Sequence, residues 1–572
     1  MKVVYVGSSN SRYNELLQTE TAFLALGWDK WDDFGYKTLL PCRFVVDKLE
    51  VEISNIRILV DGHSFTASRF DELVKSGWNG EFPPPQTNFI SNPEDIDFYQ
   101  IIAGKSDHSI AMEIAEKLRD ASLLFNTAND ESAFSLIESE GFKSSLQREG
   151  GSRKAFTDGW LLFDEFGEPT IGDFTINIPS DVHEQPFSIP FKFNSKVLPY
   201  EINVLIGPNG IGKSYSLQLL VEYWLKIGRG TDDAIAESNT EPFDHYPNIS
   251  RLILVSYSPF EEFTLDLEHT NLRDKDAYKY FGFRRKRSID GESDSIGISR
   301  NLPSRDSVES IFKCVSEDKK YGFVENWVNK FTTAKQVLME AIDFDSLALV
   351  LKDGAVPSTF FDGFFWDEDA NRHCLEQGDK KYFKLDELVI SELIPEKIEE
   401  NIVKSEGVIF LKDNQPVALS SGQRLFSYIV INVLGALKNN SFVVVDEPEL
   451  FLHPNLEITF ISLLKSVLKK FHSKAILATH SLSTVREVPA NCVHVLKESE
   501  YGKEVLRPPF ETFGGDMQRI SSYVFGDKSV TKPFDNWIND KVAEYTNPEE
   551  LIEDLDQEIN EEMMMRILGA TK

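Results

Sequence analysis

From about residue 170 the chain alternates short apolar runs with longer stretches of helical period. FTINI (174–178) and FSIPFKF (187–193) read as strands. INVLI (202–206), RLILVSYS (251–258), FVVVDEPE (442–449), AILATHS (475–481) and CVHVL (492–496) read as buried strands. Between them, Leu217, Leu219, Leu220, Tyr223 and Trp224, and later Phe426, Ile429, Val430, Val433, Leu434 and Leu437, keep the helical period. Strands that are apolar on both faces and alternate with helices predict an α/β fold, with a mostly parallel sheet covered on both sides.

Three regions lie outside this pattern. Residues 1–165 combine strands (FVV, 44–46; IRILV, 56–60) with helices over 109–137 and a loop at EFPPPQTN (81–88), which predicts a separate α+β domain of unknown role. Residues 258–406 predict an α-rich insertion outside the sheet, between two halves of the core at 166–257 and 407–515. Within it, 289–306 is polar and Gly/Ser-rich and predicts a mobile loop. Residues 307–345 predict helices carrying Ile311, Val315, Trp327, Phe331, Val337 and Leu338, and FFDGFFW (360–366) reads as core rather than a partner-facing surface. The last stretch, 516–572, predicts a helical segment. Its 549–568 portion is an acidic amphipathic helix with Leu551, Leu555, Ile559 and Met563 on one side, docking on the core or on a partner.

Composition adds limits. The four cysteines, Cys42, Cys314, Cys374 and Cys492, have neither metal-ligand nor redox spacing, which fits a reducing compartment. No run approaches the length needed to span a membrane, and the opening MKVVYVGSSN turns polar too soon for a signal peptide, so a cytoplasmic location is expected. A net charge of −32 excludes coating of nucleic acid by the whole surface. Any such contact must be local, and Arg284 to Arg287 (RRKR) is the candidate, against the plainer reading of a solvated loop.

GPNGIGKS (207–214) fits G-x-x-x-x-G-K-[ST] and stands after a strand and before a helix, as the motif requires. Gly207, Pro208, Asn209, Gly210 and Gly212 form a loop whose N–H groups can face phosphate. Lys213 can reach the β- and γ-phosphates, the Ser214 hydroxyl can ligate Mg²⁺, and Tyr215 follows in the nucleotide-binding stretch. Asp446 and Glu447 end a buried strand, where ligands of open α/β sheets bind; Asp446 suits the Mg²⁺ shell and Glu447 a base for water. His480 ends another strand and can sense a γ-phosphate. Ile409–Leu411, DNQP and Val417–Leu419 read as a hairpin leading into Ser420, Ser421, Gly422 and Gln423, which open a buried helix. They can serve as a cap or as a cradle for an anion.

In this order, GPNGIGKS, LSSGQ, VVVDEPE and ATHS resemble the Walker A, signature, Walker B and switch-histidine motifs of the ABC ATPases. DEPELFLHP is similar to the SMC/RecF/OLD branch. The resemblance covers about 170–500 and implies a P-loop ABC ATPase head with ATP and Mg²⁺ as ligands. It implies two copies facing each other, each lending Ser420 and Gly422 of the signature to the other's γ-phosphate. Glu447 and His480 would be catalytic, and Leu452, His453 and Pro454 would form the D-loop. Departures are Ser421 in place of a glycine, and SPFEEF (258–263) where a Q-loop glutamine is expected. The stretch from Lys213 to Ser420 is too short for an SMC arm and longer than a plain helical lobe, so a compact insertion is expected.

VSYSPFEEF, YKYFGF and ETFGGD are similar to bacterial phage-defence ATPases, OLD-like and of Septu and retron-type systems. Neither a Toprim-like acidic cluster nor an HNH-like constellation is legible, so the resemblance implies a separate nuclease or other effector as partner. The expectation is a slow Mg²⁺-dependent ATPase that dimerises around ATP and regulates such an effector in anti-phage defence. The rivals are a RecF-like repair ATPase acting on DNA, a nuclease with its site hidden in 1–165, and an ATP-locked assembly module with incidental turnover.

Overall fold

The computed structural model describes the chain except residues 128–129, 164–170, 180–185, 239, 268–276, 288–294, 323–327, 362–369, 387–389, 391, 451, 501, 527–532, 546, 556–557 and 570–572. It forms two compact units, Met1–Phe513 and Gly514–Lys572.

The core of the first unit is an α/β P-loop fold. Its sheet is built from β1 (Ile202–Ile206), β2 (Arg251–Ser256), β3 (Tyr278–Gly282), β4 (Ser441–Asp446), β5 (Lys474–Thr479), β6 (Val493–Ser499) and β7 (Gly502–Leu506). The spatial order is β3-β2-β4-β5-β1-β6-β7. All neighbours are parallel except β6 and β7, which form a hairpin. Every residue of β1, β2 and β4 is buried, which is why these strands read as continuous apolar runs. Helix α1 (Lys213–Leu225) follows GPNGIG, helix α2 (Ser421–Ala436) opens within LSSGQ, and helix α3 (Pro454–Lys470) follows DEPELFLH.

Strand β3 corrects the expectation that 258–406 stays outside the sheet. At the sheet edge, YKYFG sets half-buried Lys279 and Tyr280 between buried Tyr278 and Phe281, and so gives no continuous apolar run. The expected loop around RRKR is also replaced. Arg284–Arg287 pairs antiparallel with Ser295–Ile298, and a helix starts at Leu302, within the polar stretch that predicted a mobile loop. The insertion holds the expected helices (Leu302–Tyr321, Lys330–Ala341) and, in addition, Ser346–Val350 and Lys380–Leu385 of a five-stranded sheet that it shares with Val408–Lys412, beyond its expected end. Trp327 and most of FFDGFFW lie outside the described residues; Phe360 and Phe361 are buried. The hairpin before the signature is present as Val408–Lys412 with Gln415–Pro416, but Val417–Leu419 form no strand.

Residues 1–163 carry a four-stranded and a three-stranded sheet around their own core of Phe44, Phe70, Phe89 and Phe98. Buried Arg57 is ion-paired to Asp33, Glu94 and Glu149 there. Helix Gly150–Asp158 links this region to the nucleotide core: Lys154 Nζ donates to Asn248 O (3.2 Å), and Arg153 donates to Trp224 O (3.4 Å).

In the second unit, the single amphipathic helix expected over 549–568 is two helices, Pro548–Leu555 and Glu561–Gly569. Leu551 and Ile567 bury against Ile538 and Val542 of the helix Pro533–Glu544, so the apolar side is covered inside this unit.

Candidate functional site

Register brings the site together. Ile206 pairs with Thr479, Ala478 with Asp446, and Asp446 with Ser256. The C-terminal ends of β1, β5, β4 and β2 therefore stand level, and whatever follows each strand meets its neighbours at one rim.

Two glycine requirements shape the phosphate loop. A Cβ on Gly207 would lie 2.5 Å from the Leu496 carbonyl oxygen of β6. Gly212, the N-cap of α1, has φ +104°, a conformation that side-chain-bearing residues avoid. Pro208, Asn209 and Gly210 are exposed. Tyr215 is also exposed, with the Arg229 guanidinium 4.8 Å from its ring centroid.

Lys213 is buried beneath the loop. Its Nζ donates to Gly207 O (3.1 Å) and Pro208 O (3.2 Å) and lies 2.7 Å from His480 Nε2. An ammonium can only donate, so His480 accepts through an unprotonated Nε2. Burial and the Lys213 charge both lower the His480 pKa, against the opposing pull of Glu447, whose carboxylate is 3.7 Å from Nε2. The Ser214 hydroxyl donates to Asp446 Oδ1 (2.9 Å). Burial first, and then the charges of Glu447, Glu261 and Glu449, push the Asp446 pKa up to about 7, while the Ser214 bond works the other way.

Glu447 has φ +49°, the left-handed region for a residue with a side chain, and its N–H donates to Ala478 O (2.9 Å). Such strain persists only where the surroundings fix it, here the neighbouring strand end. Glu449 accepts from Thr479 Oγ1 (2.8 Å) and from the His480 backbone N–H. Ser481 donates to buried Glu457 of α3.

The predicted signature stands apart. Ser420 and Gln423 form a capping box: Gln423 N donates to Ser420 Oγ (3.2 Å), and Ser420 N donates to Gln423 Oε1 (3.1 Å). Ser420 and Ser421 are exposed and Gly422 is half-buried, while Leu425 and Phe426 are already core. Among the described residues none of the four bonds to the phosphate loop, Asp446, Glu447 or His480; Ser421 lines a separate cavity of about 890 Å³. His453 caps α3 by accepting from Asn455 N (3.4 Å) and is exposed.

Two acids were not singled out by sequence. Glu449 carried no distinguishing signal beyond its place in DEPE. Glu261, in SPFEEF, is buried and accepts from Tyr280 OH (2.6 Å), Arg284 Nη1 (2.7 Å) and Phe263 N (2.8 Å). RRKR is thereby divided by strand alternation. Arg284 pairs with Glu261 and Lys286 with Asp266 (3.0 Å), while Arg285 is exposed beside Arg305 in a second cavity.

Among the described residues, no group of three or more His, Cys, Asp or Glu is placed to hold a metal by itself. The Ser214–Asp446 pair suits Mg²⁺, which takes few protein ligands and shares the rest with phosphate and water. A buried carboxylate crowded by three other acids is where a divalent cation relieves repulsion.

Residues 306–485 match the protein family described as AAA ATPase domain, a span that contains the signature, Asp446, Glu447 and His480 and starts beyond the phosphate loop. This supports an ATPase-type domain in that part of the chain. The chain is 23% identical over 520 residues to "Protein ea59" of Escherichia phage lambda, covering 90% of this chain and 87% of that protein. Among solved structures it is similar to an SMC head bound to the C-winged helix domain of ScpA (11% identity, TM-score 0.29, 59% of this chain and 98% of that one). It is also similar to the SMC head domain from Thermotoga maritima (11%, TM-score 0.27, 60% and 100%) and to Stu0660 of Streptococcus thermophilus (10%, TM-score 0.27, 66% and 80%). No helix among the described residues is long and apolar enough to cross a membrane.

Proposed function

We propose that this protein is a Mg²⁺-dependent ATPase of the ABC type that hydrolyses ATP to ADP and phosphate and pairs with a second copy around the nucleotide. The observation that carries the reading is the convergence of Lys213, Ser214, Asp446, Glu447 and His480 at one sheet rim, through the 2.7 Å and 2.9 Å contacts described above. ATP would lie on 207–214. Ser214 and Asp446 would hold Mg²⁺, which supplies charge neutralisation between the β- and γ-phosphates. Lys213 exchanges the carbonyls of Gly207 and Pro208 for phosphate oxygens. Glu447 receives the proton of the attacking water, and neutral His480, once Lys213 has turned to phosphate, takes the Nε2–H tautomer and donates to the γ-phosphate. Glu449 holds the His480 backbone, so the ring is aimed before substrate arrives.

The exposed signature stretch supports the pairing. Ser420, Ser421, Gly422 and Gln423 present a helix N-terminus that, among the described residues, no group of this chain's own site uses, and a second copy's γ-phosphate would fit it. His453 would face the same interface as part of the D-loop. By the sequence resemblance, the paired form regulates a separate effector, a nuclease, in anti-phage defence inside the cytoplasm. The test is ATP turnover and solution mass with Glu447→Gln. The variant should lose turnover and accumulate as an ATP-dependent dimer; unchanged mass with ATP counts against pairing.

A second reading, direct nucleic-acid contact, is favoured by one observation. Arg285, Arg300, Arg305 and Arg424 are exposed, make no ion pair among the described residues and line two adjoining cavities that share Asn301 and Ser405. In a chain of net charge −32, four exposed guanidiniums on one surface, of which Arg305 also faces the charge of Asp306, suit a phosphodiester backbone.

A further inference from the structure

Strand β6 runs on past the end of β1. Val495 pairs with Ile206, the last residue before the phosphate loop, and Glu498, three residues further, pairs with Lys503 of β7. Three strand residues rise about 10 Å. The hairpin therefore carries Lys503 beyond the rim of the sheet, to the level of the loop itself. Its ammonium ends there: Lys503 Nζ lies 3.6 Å from where a Cβ on Gly212 would stand, and apart from the residues flanking Gly212 no other atom of the described residues approaches that position within 4 Å.

Among the described residues Lys503 makes no ion pair, although Glu498 is its direct cross-strand partner and Glu504 is its neighbour. The side chain is half-buried. A lysine on an outer strand commonly keeps that edge in water; this one reaches the phosphate loop instead. The site has use for it. Asp446, Glu447 and Glu449 all act on Lys213, and Lys213 alone offsets them while already engaged by two carbonyls and His480. A polyphosphate adds further negative charge.

We propose that Lys503 is a second cation of the nucleotide site, contacting the α- and β-phosphates over Gly212 while Lys213 serves the β- and γ-phosphates. This rests on the ATP-site reading above. The backbone of this loop cradles the α- and β-phosphates, which ATP and ADP share. The contact is thus present before and after hydrolysis, and removing it weakens binding without slowing chemistry.

The test uses the full chain and competition by unlabelled ATP and ADP against a fluorescent ADP. Lys503→Ala should weaken both nucleotides about tenfold, the loss of one charge-assisted contact, and raise KM with kcat within about twofold. Lys503→Arg should restore most of the affinity, and thermal melting without nucleotide should match the unsubstituted protein for both variants. Lys213→Ala is measured alongside. If Lys213→Ala abolishes binding and Lys503→Ala binds normally, or if Lys503→Ala lowers kcat alone, the role of Lys503 is overturned. If Lys213→Ala itself binds normally, the ATP-site reading fails instead.

Discussion

Lys213 Nζ and His480 Nε2 lie 2.7 Å apart, so the phosphate-loop lysine and the strand-end histidine hold each other. The contact needs an unprotonated Nε2, and burial together with the lysine charge keeps the histidine pKa low. A nucleotide must separate the two. His480→Ala should therefore leave ATP affinity equal or slightly tighter, because Lys213 has one partner fewer to exchange. Turnover should fall about 100-fold, a typical loss for a positioned polar group at the reacting phosphate. Equilibrium titration alongside steady-state kinetics separates the effects; a large loss of affinity with unchanged kcat would place His480 outside the chemistry.

Asp446 gives the site a pH signature. Its folded-state pKa is pushed up from 3.8 to about 7, chiefly by burial. The folded protein therefore binds the proton more tightly than the unfolded chain, and the stability linked to it is complete below about pH 4 and is lost as pH rises towards 7. In metal-free buffer at pH 8, Asp446→Asn should melt higher than the unsubstituted protein, and the difference should shrink as pH falls towards 4. Mg²⁺ binding requires the carboxylate, so Mg²⁺-dependent ATP affinity should rise through pH 7 and be absent from Asp446→Asn. A variant that melts lower at pH 8 would show that Asp446 is stabilising when charged, against this account.

The sheet and phosphate loop were legible in the sequence because two-sided burial makes continuous apolar strands, and because the loop has a fixed residue pattern before a helix. β3 was missed because an edge strand with Lys279 and Tyr280 half-exposed has no such run. The C-terminal helix is longer in the sequence pattern than in the fold: apolar residues at helical spacing continue through Leu551, Leu555, Ile559 and Met563, although they fall on two helices and the stretch between, packed with Ile538 and Val542. At the site, Glu261 and Lys503 were invisible for one physical reason. Each is brought in by strand pairing or by a long-range ion pair, and neither leaves a local periodicity. RRKR reads in sequence as a solvated loop or a local basic patch, while strand alternation gives Arg284 to Glu261 and leaves Arg285 to solvent.

The exposed arginines make the nucleic-acid reading measurable. If Arg285, Arg300, Arg305 and Arg424 contact phosphates, the slope of log affinity against log salt for a duplex or single-strand oligonucleotide should flatten by about one for each arginine replaced by glutamine. Arg284→Gln should behave differently, since that side chain is committed to Glu261 at 2.7 Å. It should leave the salt slope unchanged and instead disturb Mg·ATP binding, by releasing an uncompensated carboxylate beside Asp446. Affinity that is independent of salt and of these four residues would remove direct nucleic-acid contact from consideration.

The signature's separation from its own chain's phosphate loop predicts complementation. Lys213→Ala should destroy the loop of one copy. Gly422→Asp should place a carboxylate at the helix end that would meet the other copy's γ-phosphate, repelling it while leaving the Ser420 cap bonds possible. Each variant alone should be inactive. In an equal mixture, random pairing makes about half the dimers mixed, and each mixed dimer carries one site with an intact loop and an intact signature. Turnover should recover to about a quarter of that of the unsubstituted protein at the same total concentration. Recovery requires the site to be shared, because no single inactive chain contains both intact halves. A mixture as inactive as its components, with dimers demonstrably exchanged, would mean that Ser420 to Gln423 serve only to cap α2.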